Sequence, residues 1–158
     1  MGEEKNFYLT KKGLEDMKKE YSALKNLRFA KIKGEAPKIW ESEDLNPEYL
    51  SFQEDLSFLE RKLGELENIL KNAKLIKSPS KENLKIINLG ATVVAEVEGE
   101  KDEFTIVGTL EANPSSGRIS NESPVGRALL NHRVGDEIII SSPIKIIYKI
   151  KKIKYPSL

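Results

Sequence analysis

The chain has 158 residues, with 26 Lys and Arg against 25 Asp and Glu and a formal net charge of +1. No global charge therefore draws it to nucleic acid or to a membrane, and any such affinity must come from local patches. It has no cysteine and one histidine, which excludes a disulfide scaffold and a thiolate zinc site and leaves little scope for an imidazole metal centre or a Ser-His-Asp relay.

The opening MGEEKNFY lacks a signal-peptide core and carries Asn6 where a myristoylation signal has Ser or Thr. No apolar run approaches the roughly 18 residues of a membrane span. The expected setting is the cytoplasm, with no membrane partner.

Thr10 has the chemistry of a helix N-cap, and Leu14, Met17, Tyr21 and Leu24 follow it at helical spacing. Arg28 and Lys31 then stand where that spacing asks for apolar residues, and Gly34 and Pro37 interrupt the pattern. A second helix is announced by Asn46-Pro47, an N-cap followed by proline at the first helical position. Its seam, Tyr49, Phe52, Leu56, Leu59, Leu63, Leu66 and Leu70, steps alternately by three and four, while the other faces are mostly charged. Two such helices with a short connection predict an antiparallel coiled-coil hairpin over residues 1–77, about 40 Å long for a helix of about 25 residues.

The connection carries WESEDLNPEY, with Glu41, Glu43, Asp44 and Glu48 beside a lone Trp40. Carboxylates without His or Cys suit a hard cation such as Mg²⁺, which takes oxygen ligands and keeps several waters. The plainer reading is a solvated acidic loop; placement at the end of a long hairpin favours a contact role. Below it, Lys25, Arg28, Lys31, Lys33 and Lys38 form a basic stretch that either meets phosphates or is a solvated helix face. Phe29 and Trp40 either stack on a base or pack the tip, with packing preferred.

After a linker at residues 78–84, residues 85–158 become strand-like. ATVVAEV, EFTIVGTL, DEIIISS and KIIYKIKKIKY are rich in β-branched residues, and Glu98-Gly99 reads as a hairpin turn. SPVGRALL opens with an N-cap and proline, placing a short helix from Ser123 among the strands. The fold class is α+β, a helical hairpin followed by a small antiparallel sheet domain with a short helix. The glycines fit no phosphate-binding loop, and His132 near a helix end reads as structural.

YLTKKGLEDMKKEY, NPEYLSFQEDLSFLERKLGELENIL and, most specifically, ISNESPVGRALLNHRVGDEI resemble the bacterial Gre transcript cleavage factors, GreA and GreB, over essentially the whole chain and in order. The resemblance implies an FKBP-like C-terminal domain that docks near the mouth of the secondary channel of RNA polymerase, with Ser123, Pro124 and Arg127 in its most recognisable motif. It implies a coiled coil inserted down that channel, its acidic tip helping to hold an Mg²⁺ shared with the polymerase active site and not stably bound by the factor alone. Backtracked nascent RNA is thereby cut near its 3′ end by the polymerase, to which the factor is a monomeric accessory. Arg28, Lys31 and Lys33 are the candidate RNA phosphate contacts.

Gre tips usually read Asp-Leu-x-Glu-Asn-x-Glu-Tyr, whereas this chain has Asp44-Leu45-Asn46-Pro47-Glu48-Tyr49, two residues shorter and without the family's Glu. Asp44 carries over as a metal-linked carboxylate; Glu43 or Glu41 is the candidate substitute for the second. The shortened tip leaves open a non-cleaving channel regulator. Prolyl isomerisation, suggested by the FKBP-like domain, ranks low because this half offers only Phe104, Tyr148 and Tyr155 as aromatics.

Overall fold

Leu14, Met17, Tyr21 and Leu24 form a half-buried stripe on α1 (Lys11–Gly34), and the leucine seam lines α2 (Pro47–Lys71). The structure is a computed structural model that describes residues 4–34, 47–141 and 143–156. The acidic connection lies outside the described residues.

The helices run antiparallel. Tyr21 reaches Glu67, Arg28 reaches Glu60 and Lys31 reaches Asp55, so the partners move toward the start of α2 as α1 advances. A two-helix layer has no third element to close it. Accordingly Leu59 and Leu66 of α2 are each 6% exposed and no residue of α1 is fully buried. Arg28 and Lys31 occupy the seam positions that the spacing assigned to apolar side chains. The guanidinium of Arg28 lies 3.1 Å from Glu60 Oε1, and Lys31 Nζ lies 3.2 Å from Asp55 Oδ2 and 5.5 Å from the Phe52 ring centre. On the α1 side the seam thus continues toward the far end as ion-paired cations, while Phe52 and Leu56 of the α2 seam stay half-buried.

By packing, the chain divides into two compact units, Leu14–Asn72 and Met1–Gly13 with Ala73–Leu158. In the second, β1 (Phe7–Leu9) and β2 (Ala73–Leu75) form a parallel pair that the sequence reading did not anticipate. Three-residue strands are too short to show alternation. Their register is set by Leu9, which is fully buried, and by the Ile76 N–H donating to the Leu9 carbonyl at 2.8 Å. A parallel pair needs a long crossover, and the helical hairpin supplies it.

The main sheet has the order β5-β4-β3-β7-β6, built from β3 (Thr92–Val97), β4 (Glu100–Val107), β5 (Arg118–Ser120), β6 (Glu137–Ile140) and β7 (Ile146–Lys154). β3 pairs antiparallel with β4 and β7, as expected, whereas β5 joins β4 in parallel, so the sheet is mixed at one edge. The β3–β4 turn has positive φ at both Glu98 and Gly99, the arrangement of a two-residue hairpin.

One sheet face and α3 (Pro124–Leu129) enclose the core: Ile87, Ala91, Val93, Ala95, Ile106, Leu129, Ile138, Tyr148 and Ile150. The three aromatics of this half are committed to that packing. Phe104 meets Tyr148 edge-on at 6.2 Å, and the Tyr155 hydroxyl donates to the Ile86 carbonyl while accepting from Asn88 N–H at 2.8 Å. Burial pushes both the Tyr148 and Tyr155 phenols above their ordinary range.

Candidate functional site

At the far end of the hairpin α1 stops at Gly34 and α2 starts at Pro47, the first-turn position read from the sequence. The candidate metal-linked carboxylates Asp44, Glu43 and Glu41, with Trp40, lie between these ends, outside the described residues. Their donor chemistry, carboxylate oxygen alone, suits Mg²⁺. Among the described residues no group of three or more His, Cys, Asp or Glu side chains is arranged to hold a metal.

The basic stretch is sorted by the helix into two kinds of cation. Arg28 and Lys31 are bound to carboxylates of α2 and brace the hairpin. Lys25 and Lys33 point elsewhere: their ammonium groups stand 5.3 Å from the Tyr21 ring centre and 5.0 Å from that of Phe29. Lys25, Phe29 and Lys33 are spaced four apart and so share one helix face. Phe29 is 62% exposed, so it does not pack as the sequence reading preferred. With Lys33 over its ring it forms an accessible aromatic–cation pair.

In the sheet unit, the Ser123 hydroxyl accepts from Gly126 N–H at 3.0 Å and donates to the Ser120 carbonyl at 2.7 Å. It caps α3 and is half-buried, so its role in the structure is local. Gly126 is fitted against the Ser120 backbone so closely that a Cβ would overlap its carbonyl oxygen. These two residues hold Pro124 and Arg127 outward, and both are exposed. Beside them Glu122 accepts from Thr109 Oγ1 at 2.7 Å and from Lys5 Nζ at 3.3 Å. The Thr109 hydroxyl, then Lys5, draw its carboxyl below the ordinary glutamate range. His132 is structural: its Nδ1 lies 3.2 Å from Asp136 Oδ2, and the same oxygen accepts from Arg133 N–H at 2.8 Å.

Glu111 was invisible to sequence reasoning. Its carboxylate accepts from both the backbone N–H and the hydroxyl of Thr10, each at 2.6 Å, and from Arg118 Nη2 at 3.2 Å. Thr10 in turn accepts from Gly13 N–H at 3.1 Å, so the expected N-cap of α1 is itself held by a carboxylate 101 residues away. No spacing in the sequence connects the two.

Two family models match the chain. "Transcription elongation factor, N-terminal" covers residues 7–75, and "Transcription elongation factor, GreA/GreB, C-term" covers residues 81–155. The chain belongs to the GreA/GreB family of transcription elongation factors. Among its relatives, the transcription elongation factor GreA of Thermomicrobium roseum is 41% identical over 137 residues, spanning 85% of this chain and 88% of that protein. GreA of Clostridium acetobutylicum is 36% identical over 159 residues, covering 98% and 100% of the two chains.

Solved structures resembling the chain include GreA factor homolog 1 (Gfh1) of Thermus thermophilus, at 26% identity over 95% of this chain and 99% of that one, with a TM-score of 0.41. A GreA/GreB protein of Nitrosomonas europaea gives 20% identity over 95% and 100%, with a TM-score of 0.43. The overall superpositions are loose, and the assignment rests on the two sequence models and the GreA relatives. Like the other members of this GreA/GreB family, the chain is an accessory factor of transcription elongation.

Proposed function

We propose that this chain binds RNA polymerase through its secondary channel and stimulates Mg²⁺-dependent cleavage of backtracked nascent RNA by the polymerase's own active site. What supports this most is a single coincidence: the chain matches both Gre domains in order, and the cluster Glu41, Glu43 and Asp44 falls in the connection between two antiparallel helices, where the family carries its acidic tip. The sheet unit is the docking body, with Pro124 and Arg127 presented outward by the cap at Ser123.

Asp44, together with Glu43 or Glu41, is the carboxylate set that would hold Mg²⁺ jointly with the polymerase. When bound, the ion supplies water activation and charge stabilisation at the scissile phosphate. The rest falls to the chain's own side chains. Arg28–Glu60 and Lys31–Asp55 keep the hairpin closed below its end. Lys33 and Lys25, not engaged with α2 carboxylates among the described residues, take the phosphate contacts that the sequence assigned to Arg28, Lys31 and Lys33 together, and Phe29 offers its ring to a base. In this reading the chain is an accessory, and hydrolysis belongs to the polymerase.

A second reading is favoured by one observation: Asp44-Leu45-Asn46 is two residues shorter than the family's tip and lacks its Glu. A misplacement of about 1 Å at a reacting centre can cost on the order of 100-fold in rate, and a hairpin so altered would occupy the channel without cutting. Adding the protein to a stalled, backtracked elongation complex with Mg²⁺ separates the two. New short 3′ RNA fragments support the cleavage factor; slowed nucleotide addition without fragments supports the regulator.

A further inference from the structure

Apolar and charged residues exchange places along α1. In the half of α1 nearer its start, Leu14, Met17, Tyr21 and Leu24 face the seam. In the other half the seam positions are Arg28 and Lys31, whereas Leu27, Phe29 and Ile32 are 53%, 62% and 42% exposed. On α2 the exposed large apolar residues are Leu50 and Phe58, at 47% and 54%, again in the half that pairs with the end of α1. Amphipathic patterning puts apolar residues inside. A local inversion confined to one end of an element is where a functional surface is expected.

The two flanks of that end differ in chemistry. One carries Lys25, Phe29 and Lys33. The other is a groove of about 340 Å³ lined by Leu27, Ala30, Lys31, Asp55, Phe58 and Leu59. Its two charged members neutralise each other at 3.2 Å, and the Lys31 side chain is only 16% exposed. A neutral apolar groove offers a phosphate backbone nothing. Half-exposed Leu and Phe side chains present on the order of 200 Å², far below the roughly 800 Å² per partner of a free-standing interface. The groove therefore suits a local anchor within a larger enclosure, not a dimer seam.

We infer that this groove receives an apolar side chain of the polymerase channel wall, so that the hairpin enters with its Lys25–Phe29–Lys33 flank toward RNA and its Leu27–Phe58 flank toward protein. The inference rests on the proposed function, and the groove fixes the rotational setting of the hairpin in the channel. It is distinct from the docking surface around Pro124 and Arg127.

The test is a competition assay for core RNA polymerase with wild type, Leu27→Ser/Phe58→Ser, Asp44→Ala and Ile144→Ser, the last an apolar side chain 70% exposed in the sheet unit. Circular dichroism confirms folding, and Phe58→Leu serves as a conservative variant. The groove variant is expected to bind about tenfold or more weakly, with Phe58→Leu close to wild type, Asp44→Ala and Ile144→Ser unchanged, and cleavage recovered at saturating factor. Equal binding by the groove variant and wild type would overturn the inference while leaving the proposed function standing, as would an equal loss in Ile144→Ser. A wild-type dimer in sedimentation that the groove variant splits would assign the groove to a second copy instead. Failure of wild type to bind polymerase would overturn both.

Discussion

Gly13→Ala has a sign that depends on Glu111. In the first turn of α1, replacing glycine by alanine ordinarily stabilises a helix, by up to about 1 kcal/mol. Here a Cβ on Gly13 would overlap the Glu111 carboxylate. A flexible glutamate could step aside, but this one accepts two hydrogen bonds of 2.6 Å from Thr10 and one of 3.2 Å from Arg118, and its side chain is 10% exposed. Displacing it leaves the part-buried Thr10 N–H without its acceptor, a cost of about 1–3 kcal/mol, and removes a negative charge from a helix N-terminus, worth about 0.3–1 kcal/mol. The loss exceeds the gain, so Gly13→Ala should destabilise by about 1 kcal/mol.

In a Glu111→Ala background the obstruction is gone, and the same substitution should become neutral or stabilising. Urea unfolding of the four members of this cycle, followed by circular dichroism, gives the coupling directly. Additive effects, or stabilisation by Gly13→Ala with Glu111 in place, would refute the claim that this carboxylate is seated on the start of α1.

Tyr155→Phe should cost about 1–3 kcal/mol in the same assay, because the Ile86 carbonyl and the Asn88 N–H both lose their partner; a loss below 0.5 kcal/mol would contradict that geometry. Asp136 should titrate below the ordinary aspartate value of about 4, first because it accepts from Arg133 N–H and second because of His132. Its folded pKa is lowered, so its contribution to stability is present above the unfolded value and is lost as pH falls through the folded one. An NMR titration of the carboxyl checks this, and His132→Ala should leave most of the lowering in place.

The leucine seam, the Thr10 cap, Pro47 at the start of α2, the Glu98-Gly99 turn and the Ser123 cap were all legible in the sequence, because each is a local pattern of period or capping chemistry. Arg28 and Lys31 were legible as breaks in the seam, but not as its continuation. Their partners Glu60 and Asp55 lie on another helix, and only the antiparallel register brings them together. That pairing also divides the basic stretch, leaving Lys25 and Lys33 outward where spacing alone had grouped them with Arg28 and Lys31. The β1–β2 pair and the Glu111–Thr10 contact were hidden for one reason: each joins segments far apart in sequence through a few residues, too few to show a period. The parallel edge strand β5 is likewise three residues long. For the tip, the sequence supplied the candidate donors Asp44, Glu43 and Glu41, which lie between α1 and α2 in the chain and outside the described residues.

The central claim is that these carboxylates serve a metal in the polymerase active site. It is tested most directly by transcript cleavage in a backtracked complex of the cognate polymerase with Mg²⁺, comparing wild type with Asp44→Ala while polymerase binding is measured in parallel. The account predicts short 3′ fragments with wild type and none with Asp44→Ala, at equal binding. Fragments persisting at the wild-type rate in Asp44→Ala, or absent from wild type at saturating binding, would contradict it.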